Sequence, residues 1–221
     1  MEVLTPRSLA EALALKAERP DAVPIQGGTD VMVELNFDRS RPPALLNLNE
    51  VPELRGHSRE NGTMRLGSGL TYTEAMGLAE PLLVYGAEVE LASVGGSRAM
   101  PLREFLVGPK RNALEPEELI VAVWIPVPGP RQTFMKVGPR NAMVIAVVSL
   151  ALVVDGDELR ASFGSAGPVP GLVSAPVEER ESFPERVAEA ASPIDDVRGT
   201  ARYRRHALRV LTARALVRCL T

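Results

Sequence analysis

The sequence predicts a mixed α+β fold, in which a small α/β unit precedes an antiparallel sheet with helices. Three observations carry this prediction. Segments of strand length alternate with helical segments over the first fifty-odd residues, which is typical of strands paired in parallel. Three apolar strand segments follow a proline-rich stretch at 126–130. The C-terminal segments carry apolar residues at helical spacing.

The N-terminal elements are predicted from local signals. Ser8 and Glu11 have the spacing of a capping box, and apolar residues at helical spacing continue until Pro20. Strands are predicted at 2–4, 23–26 and 44–48, helices at 8–19 and from Thr29 to about 36, and one helical turn at 50–54.

The middle of the chain reads as strands separated by glycine turns. Asn61-Gly62 and Gly95-Gly96 are turn signals. Strands are predicted at 63–67, 82–92, 98–101 and 119–126, with a helix from Thr71 through Leu78 and a short helix at 102–106.

The C-terminal part is predicted to be three strands followed by helices. The strands are expected at 133–137, 142–154 and 158–164, with Asp155-Gly156 as a hairpin turn. Helices are expected at 183–191 and 200–220. The last of these buries Leu208, Leu211 and Ala215, and its arginines are interpreted as a solvated face.

Composition excludes several kinds of function. The 221 residues carry a formal net charge of −3, which argues against binding nucleic acid or an anionic membrane through a general basic field. A single cysteine, Cys219, excludes an internal disulfide and a chain-contained Cys-ligated iron–sulfur site. Neither a membrane span nor a signal peptide is predicted, so a cytoplasmic protein is expected.

The two histidines do not suggest a catalytic centre. His57 is predicted to be a solvated loop residue, and His206 lies among arginines. Neither has the Ser or Asp neighbours of a triad. Redox or group-transfer chemistry in this chain would therefore depend on a bound cofactor.

The segment Gln26-Gly27-Gly28-Thr29-Asp30 is the candidate binding loop. A glycine pair lets a ligand approach the backbone, and a helix N-terminus after it presents unpaired N–H groups to a phosphate. The same residues also suit an ordinary strand-to-helix turn with Thr29 or Asp30 as a cap. The loop by itself does not decide between these interpretations.

In its context the loop resembles the first flavin-binding motif of the FAD-binding (medium) subunits of molybdenum hydroxylases, the xanthine dehydrogenase and carbon monoxide dehydrogenase family. Further segments follow in the order typical of that family: Leu66-Gly67-Ser68-Gly69-Leu70-Thr71, Gly86-Ala87-Glu88-Val89-Glu90-Leu91, Val107-Gly108-Pro109-Lys110, Pro116-Glu117-Glu118-Leu119-Ile120, Lys136-Val137-Gly138-Pro139-Arg140-Asn141-Ala142, and Asp195-Asp196-Val197-Arg198-Gly199-Thr200 with the residues after it. The resemblance covers nearly the whole chain.

The resemblance implies a fold and a role. It implies a two-subdomain, PCMH-type FAD-binding domain, at 1–55 and 56–128, followed at 129–221 by a three-stranded antiparallel sheet with helices of the carbon monoxide dehydrogenase flavoprotein C-terminal type. The chain would bind FAD and pass electrons to NAD⁺, O₂ or another acceptor. A large subunit would carry molybdopterin and a small subunit two [2Fe–2S] clusters, in a dimer of heterotrimers.

The resemblance also implies site residues. Gln26, Gly27, Gly28, Thr29 and Asp30 match the pyrophosphate loop, and Pro24, Ile25 and Val31 flank it. Ile120 matches an apolar position beside the flavin, although a core strand residue is the alternative. Lys136 matches a lysine near the flavin ring, although a surface lysine at a strand end is the alternative. No metal ligands are implied in this chain.

The chain departs from the family in one place. The resemblance implies a second glycine motif, Thr-Ile/Val-Gly-Gly-Asn, followed by Ser-Pro-x-x-Asp, between a helix ending near Ala79 and a strand starting near Leu82. Only Glu80 and Pro81 lie there. Three explanations are open: the segment is disordered and was left out of the sequence, it has been deleted, or the natural protein lacks it and is a flavin-free scaffold.

Three functions therefore compete. The first is an electron-transfer flavoprotein subunit, and the second is a flavin-free structural or assembly subunit of the same complex. The third is a stand-alone nucleotide- or phosphate-binding module. The family-like segment from Asp195 to Arg205 argues against the third, because such a module does not need that C-terminal domain.

Overall fold

The computed structural model describes residues 1–71, 82–109, 111–127, 129, 131–140 and 145–221. The strands are β1 (Glu2–Leu4), β2 (Val23–Ile25), β3 (Ala44–Asn47), β4 (His57–Glu60), β5 (Thr63–Gly67), β6 (Glu88–Ser93), β7 (Gly96–Pro101), β8 (Leu106–Gly108), β9 (Arg111–Asn112), β10 (Leu119–Pro126), β11 (Gln132–Val137), β12 (Val148–Asp155), β13 (Glu158–Gly164) and β14 (Gly171–Pro176). The α-helices are α1 (Leu9–Glu18), α2 (Val31–Asn36), α3 (Leu102–Phe105), α4 (Phe183–Ala190) and α5 (Ala201–Leu220).

The chain divides into two compact units. The first comprises the described residues of 1–79, 88–105 and 113–125, and the second those of 80–87, 106–112 and 126–221. Each unit contains its own apolar core. No helix among the described residues is long and apolar enough to cross a membrane.

The first unit opens with a three-stranded parallel sheet in the order β1-β3-β2. Helix α1 begins as predicted, because the Ser8 hydroxyl accepts a hydrogen bond from the Glu11 N–H at 3.2 Å. Leu46 of β3 is fully buried in the core with Ala12 of α1. The parallel pairing at the N-terminus is therefore confirmed.

The first unit also contains a five-stranded sheet in the order β4-β5-β10-β6-β7. Its outer strand β4 corrects one prediction, because His57 lies in this exposed strand and pairs with Leu66 rather than lying in a loop. The predicted strand from residue 82 is also corrected. Leu82–Tyr85 is a 3-10 helix, Gly86 turns the chain with φ +69°, and β6 starts only at Glu88.

The second unit is built on a four-stranded antiparallel sheet in the order β11-β12-β13-β14, with α4 and α5 contributing to its core. The predicted three strands are present, and β14 is a fourth that the sequence did not predict. The strand predicted at 142–154 is shorter than expected, because residues 145–147 precede β12. Residues 142–144 of that prediction lie outside the described residues. A two-stranded ribbon of β8 and β9 is likewise additional.

Strand β14 was not predicted, because a contact that supports it comes from a residue of the neighbouring strand. Gly171 lies opposite Phe163 of β13, and a Cβ built on Gly171 would lie 2.1 Å from Cζ of the Phe163 ring. The aromatic ring thus covers the position that a side chain on β14 would occupy. Residues 72–78 of the helix predicted from Thr71 through Leu78 lie outside the described residues, as does the Glu80-Pro81 junction.

Candidate cofactor site

The candidate loop connects β2 to α2 in the first unit. Pro24 and Ile25 end strand β2, and Val31 is the first residue of α2. The five residues between them, Gln26 to Asp30, are exposed or half-buried. Gly28 has φ +71°, a left-handed conformation that favours glycine. The predicted order of strand, glycine turn and helix is therefore present.

The loop presents backbone donors that the protein does not use. Among the described residues, no acceptor is found for the backbone N–H groups of Gly27, Gly28, Thr29 and Asp30. Asp30 occupies the N-cap position but its side chain forms no capping hydrogen bond. Helix α2 has only six residues, so its dipole is small and the N–H groups themselves are the main attraction for an anion.

The two glycines of the loop face different surroundings. A Cβ built on Gly27 would meet no atom of the described residues within 4 Å, so among them its outer face is open to a ligand. A Cβ on Gly28 would lie 3.1 Å from Cγ of Met32 and 3.6 Å from Cδ1 of Ile25. Gly27 is thus the position where a ligand can approach closely, while Gly28 sets the turn.

Residues from elsewhere in the first unit hold Gln26. The Asn49 side-chain amide donates to the Gln26 carbonyl at 3.1 Å. Gly69, after β5, lies against the Gln26 side chain, since a Cβ on Gly69 would fall 2.6 Å from Gln26 Nε2. Gly69 is itself fixed by its N–H, which donates to the Leu54 carbonyl at 2.7 Å. The Gly67-Ser68-Gly69 turn therefore forms one wall of the site.

Ile120 is adjacent in sequence to the strand residue that accepts a hydrogen bond from this turn. The Ser68 N–H donates to the carbonyl of Val121 at 2.9 Å, at the point where β10 has an irregular register opposite β6. Ile120, which is half-buried, comes directly before Val121. The Ser68 hydroxyl is buried and has no hydrogen-bond partner in the described part of the chain.

An ion pair anchors the start of β10 beside Ile120. Glu118 accepts from Arg98 Nε at 2.6 Å and from Arg98 Nη2 at 2.8 Å, and it also accepts from the Glu115 N–H at 2.9 Å. The Arg98 guanidinium holds the pKa of Glu118 below its usual range, although partial burial opposes this. The pair fixes where β10 begins.

Lys136 lies in the second unit. It is an exposed residue of β11, at the position that pairs with Ser149 of β12. The structure thus brings Pro24, Ile25, Gln26, Gly27, Gly28, Thr29, Asp30 and Val31 together in one β2–α2 connection. It places Ile120 directly before Val121, the acceptor of the Ser68 N–H, and Lys136 on the second unit's sheet.

Sequence reasoning missed the residues that support the loop. Asn49, Ser68 and Gly69 were not predicted to be site residues, although the Gly-Ser-Gly turn was recognised as a family-like segment. The signal that identifies Gly69 is spatial, because only the fold places it against a side chain 43 positions earlier. The described residues contain no group of His, Cys, Asp and Glu arranged to hold a metal ion.

The donor set fits a pyrophosphate group. Within the part of the chain that the structure describes, four backbone N–H groups have no protein acceptor, Gly27 has an open face and the buried Ser68 hydroxyl has no partner. Such a set of donors is suited to an anionic, oxygen-rich ligand. These features correspond to the first of the two glycine loops that the resemblance implies.

Comparison with known proteins gives a family match. A family model described as "FAD binding domain in molybdopterin dehydrogenase" matches residues 1–80 and 76–128. Together the two segments cover more than half of the chain, and the match breaks where they overlap. The sequence has only two residues, Glu80 and Pro81, between Ala79 and Leu82 at this place.

Curated relatives match over almost the full chain. The putative xanthine dehydrogenase FAD-binding subunit of Escherichia coli K12 is 26% identical over 270 residues, which cover 95% of this chain and 92% of the relative. The carbon monoxide dehydrogenase medium chain of Afipia carboxidovorans is 25% identical over 277 residues, covering 96% and 94%. Since 95% of 221 residues is about 210, about 60 positions of the E. coli alignment have no counterpart here.

Solved structures share the fold. A chain of carbon monoxide dehydrogenase from Hydrogenophaga pseudoflava superposes with a TM-score of 0.87 at 19% identity, covering 100% of this chain and 97% of that one. Quinoline 2-oxidoreductase from Pseudomonas putida 86 gives 0.85 at 21% identity, covering 99% and 96%. The predicted fold class is confirmed. With the matched residues 1–128, these findings place the chain in one family: it is a member of the FAD-binding domains of molybdopterin dehydrogenases.

Proposed function

We propose that this chain is the FAD-binding, electron-transfer subunit of a molybdopterin-dependent hydroxylase or dehydrogenase. It receives electrons from [2Fe–2S] clusters of a partner and passes them to an external acceptor such as NAD⁺ or O₂. One observation carries the proposal: the loop from Gln26 to Asp30 presents four N–H groups that have no acceptor among the described residues. They lie beside the Gly67-Ser68-Gly69 turn, within the part of the chain that matches the family.

The site residues have distinct proposed roles. The backbone of Gln26, Gly27, Gly28, Thr29 and Asp30 binds the pyrophosphate, and Pro24, Ile25 and Val31 shape its surroundings. Ile120 offers an apolar surface to the flavin, and Lys136 places a positive charge near its ring. FAD supplies the redox chemistry when bound, so the chain's tasks are to position the cofactor and adjust its potential. The proposed domains are 1–55 and 56–128 for the cofactor and 129–221 at the C-terminus.

The proposed partners are a large molybdopterin-binding subunit and a small [2Fe–2S] subunit, in a dimer of heterotrimers in the cytoplasm. The names of the relatives support a multi-subunit enzyme. They include the caffeine dehydrogenase subunit beta of a Pseudomonas strain and a subunit of the 6-hydroxypseudooxynicotine dehydrogenase complex of Paenarthrobacter nicotinovorans. This chain is thus proposed to be one subunit of a multi-subunit oxidoreductase.

One observation favours a second candidate, a flavin-free structural or assembly subunit of the same complex. The roughly 60 positions missing relative to the E. coli protein include, by the family resemblance, the second glycine motif and a carboxylate for the cofactor. A chain with one loop offers fewer hydrogen bonds to FAD. Its partner contacts would remain while its flavin content is lost.

A spectrum of the native complex distinguishes the two candidates. The complex is purified through a tag on this chain, its subunits are identified by mass spectrometry, and released flavin is quantified against protein. The proposal expects close to one FAD per chain, together with molybdopterin and iron–sulfur subunits. Recovery of both partner subunits without flavin would support the structural subunit. Recovery of flavin without either partner subunit would contradict the electron-transfer role.

A further inference from the structure

The exposed face of helix α5 is basic and largely unpaired. The helix carries six arginines and one histidine, and it contains neither Asp nor Glu. Arg204 points inward to Asp196, and Arg209 pairs with Glu185 of α4. Arg202 and Arg205 are exposed and form no ion pair within the described residues. A recess of about 740 Å³ opens here, lined by Thr200, Arg202, Tyr203, Arg205, His206 and Arg209.

An apolar loop tip adjoins this basic face. Val197 is fully exposed at 103%, and Ile194 is 71% exposed. Both aliphatic side chains lie in water in this chain, so covering them with an apolar partner surface would be favourable. They immediately precede α5, so the loop tip and the first turns of the helix form one continuous surface.

The loop is held rigid rather than left free to collapse. The backbones of Asp196 and Gly199 exchange two hydrogen bonds of 3.2 Å. The Asp196 carboxylate accepts from the Arg198 N–H at 2.8 Å and from the buried Arg204 guanidinium at 2.7 Å. A tip fixed in this way loses little conformational entropy when it binds, which favours recognition.

We propose that residues 194–206 form a docking surface for another subunit of the dehydrogenase. The partner presents an apolar socket for Val197, bordered by carboxylates that face Arg202 and Arg205. Aromatic and arginine side chains around an apolar centre are the composition of energetically important interface positions. The identity of this partner rests on the proposed function, whereas the docking surface rests on the exposed residues themselves.

The positive charge of this surface favours a carboxylate-bearing subunit over a second copy of the chain, and its apolar tip argues against nucleic acid. A two-fold contact with a second copy would bring the same patch against itself and oppose its arginines with one another. Nucleic acid suits the arginines, but an apolar tip beside them and a chain with net charge −3 do not. A protein surface with carboxylates around an apolar recess satisfies both features.

Charge reversal in the native complex tests the proposal. The full chain is tagged in its source cells as wild type, as R202E/R205E and as V197D, and co-purified subunits are quantified by mass spectrometry. The control is R214E/R218E, which changes two exposed arginines further along the same helix. We expect each docking variant to lower partner affinity at least about tenfold, and the control to match wild type. Thermal unfolding verifies that each variant folds.

A measurement on the wild-type chain does not depend on variant folding. Amide hydrogen exchange of residues 194–206 is compared between the complex and the free chain, and protection in the complex is expected. The docking surface is overturned if both docking variants recover as much partner subunit as wild type. It is also overturned if amide hydrogen exchange shows no protection of residues 194–206 in the complex. Wild-type chain that recovers neither a molybdopterin nor an iron–sulfur subunit overturns the proposed function and, with it, the partner. Binding that nuclease abolishes, or a dimer of this chain alone, overturns the assigned occupant.

Discussion

Gly27 and Gly28 are adjacent, but a Cβ at each would meet different surroundings. Gly27 has open space around it, whereas Gly28 combines φ +71° with close contact to Met32. A side chain at Gly27 therefore obstructs a ligand without disturbing the fold. A side chain at Gly28 disturbs the turn itself. Substitution of Gly27 therefore tests ligand binding, and substitution of Gly28 tests the stability of the turn.

We expect Gly27→Ala to lower FAD affinity about tenfold, because a methyl group would stand where the pyrophosphate must approach the N–H groups. Its free energy of unfolding should stay within about 0.5 kcal/mol of wild type. Gly28→Ala should be destabilised by about 1 kcal/mol. Urea unfolding and flavin fluorescence titration measure the two effects. Wild-type FAD affinity in Gly27→Ala would remove this loop from the binding site.

Asp196 makes the stability of the second unit sensitive to acid. Hydrogen bonds from the Arg198 N–H and from the Arg204 guanidinium lower the pKa of Asp196 below its ordinary value, although desolvation opposes them. A carboxylate with a depressed pKa stabilises the fold fully above its unfolded pKa of about 3.9. That contribution is lost as pH falls through the lower, folded pKa.

Asp196→Asn should therefore be less stable than wild type at pH 7, and the difference should shrink as pH falls below about 4. Urea unfolding between pH 3 and 7 measures both curves. Asp157→Asn, at an exposed position in the turn between β12 and β13, serves as the control and should follow wild type. A difference between Asp196→Asn and wild type that stayed constant with pH would show that the carboxylate charge is not the source of the stabilisation.

Among the secondary-structure elements, β14 depends most clearly on one cross-strand contact. Gly171 leaves room for the Phe163 ring, which lies directly opposite on β13. We expect Gly171→Ala to destabilise the protein by about 1–3 kcal/mol, because the new methyl group would overlap the ring. Gly129→Ala is the matched control, since a Cβ there meets no atom of the described residues within 4 Å. Equal unfolding midpoints for the two variants would contradict this account.

Elements with local signals were predictable from the sequence. The Ser8 cap of α1, the Asp155-Gly156 hairpin and the long helix α5 each follow from residues close together in the chain. Strand β14 was not predictable, because the ring of Phe163 completes it from another strand. In the same way, Gly69 was recognised in a family-like segment, but its contact with Gln26 depends on the folded sheet. Sequence patterns within one element do not reveal contacts between side chains of separate elements.

At the scale of the whole molecule, the chain retains the family fold over almost its full length with about 60 fewer positions than the E. coli relative. The core does not depend on the lost segment, since both described units have continuous buried clusters. The family match breaks at residues 76–80, which is where the family resemblance places the second glycine loop. The consequence of the loss should therefore appear in cofactor affinity before it appears in stability.

A chimera tests this consequence. The segment of the E. coli FAD-binding subunit that has no counterpart here is inserted between Ala79 and Leu82, in place of Glu80 and Pro81. We expect the chimera to bind FAD at least about tenfold more tightly than wild type, since a second set of backbone donors adds about 1.4 kcal/mol or more. A Gly-Ser insertion of equal length controls for chain length.

The Gly27→Ala change in the chimera makes the result specific. If both loops grip one pyrophosphate, the added affinity depends on the first loop and Gly27→Ala should remove much of it, because the two sets of donors act on the same group. A chimera that gains the same affinity with and without the Gly27→Ala change would show that the inserted segment binds flavin without the β2–α2 loop. A chimera no tighter than the Gly-Ser control would mean that this chain has lost more of the site than one segment.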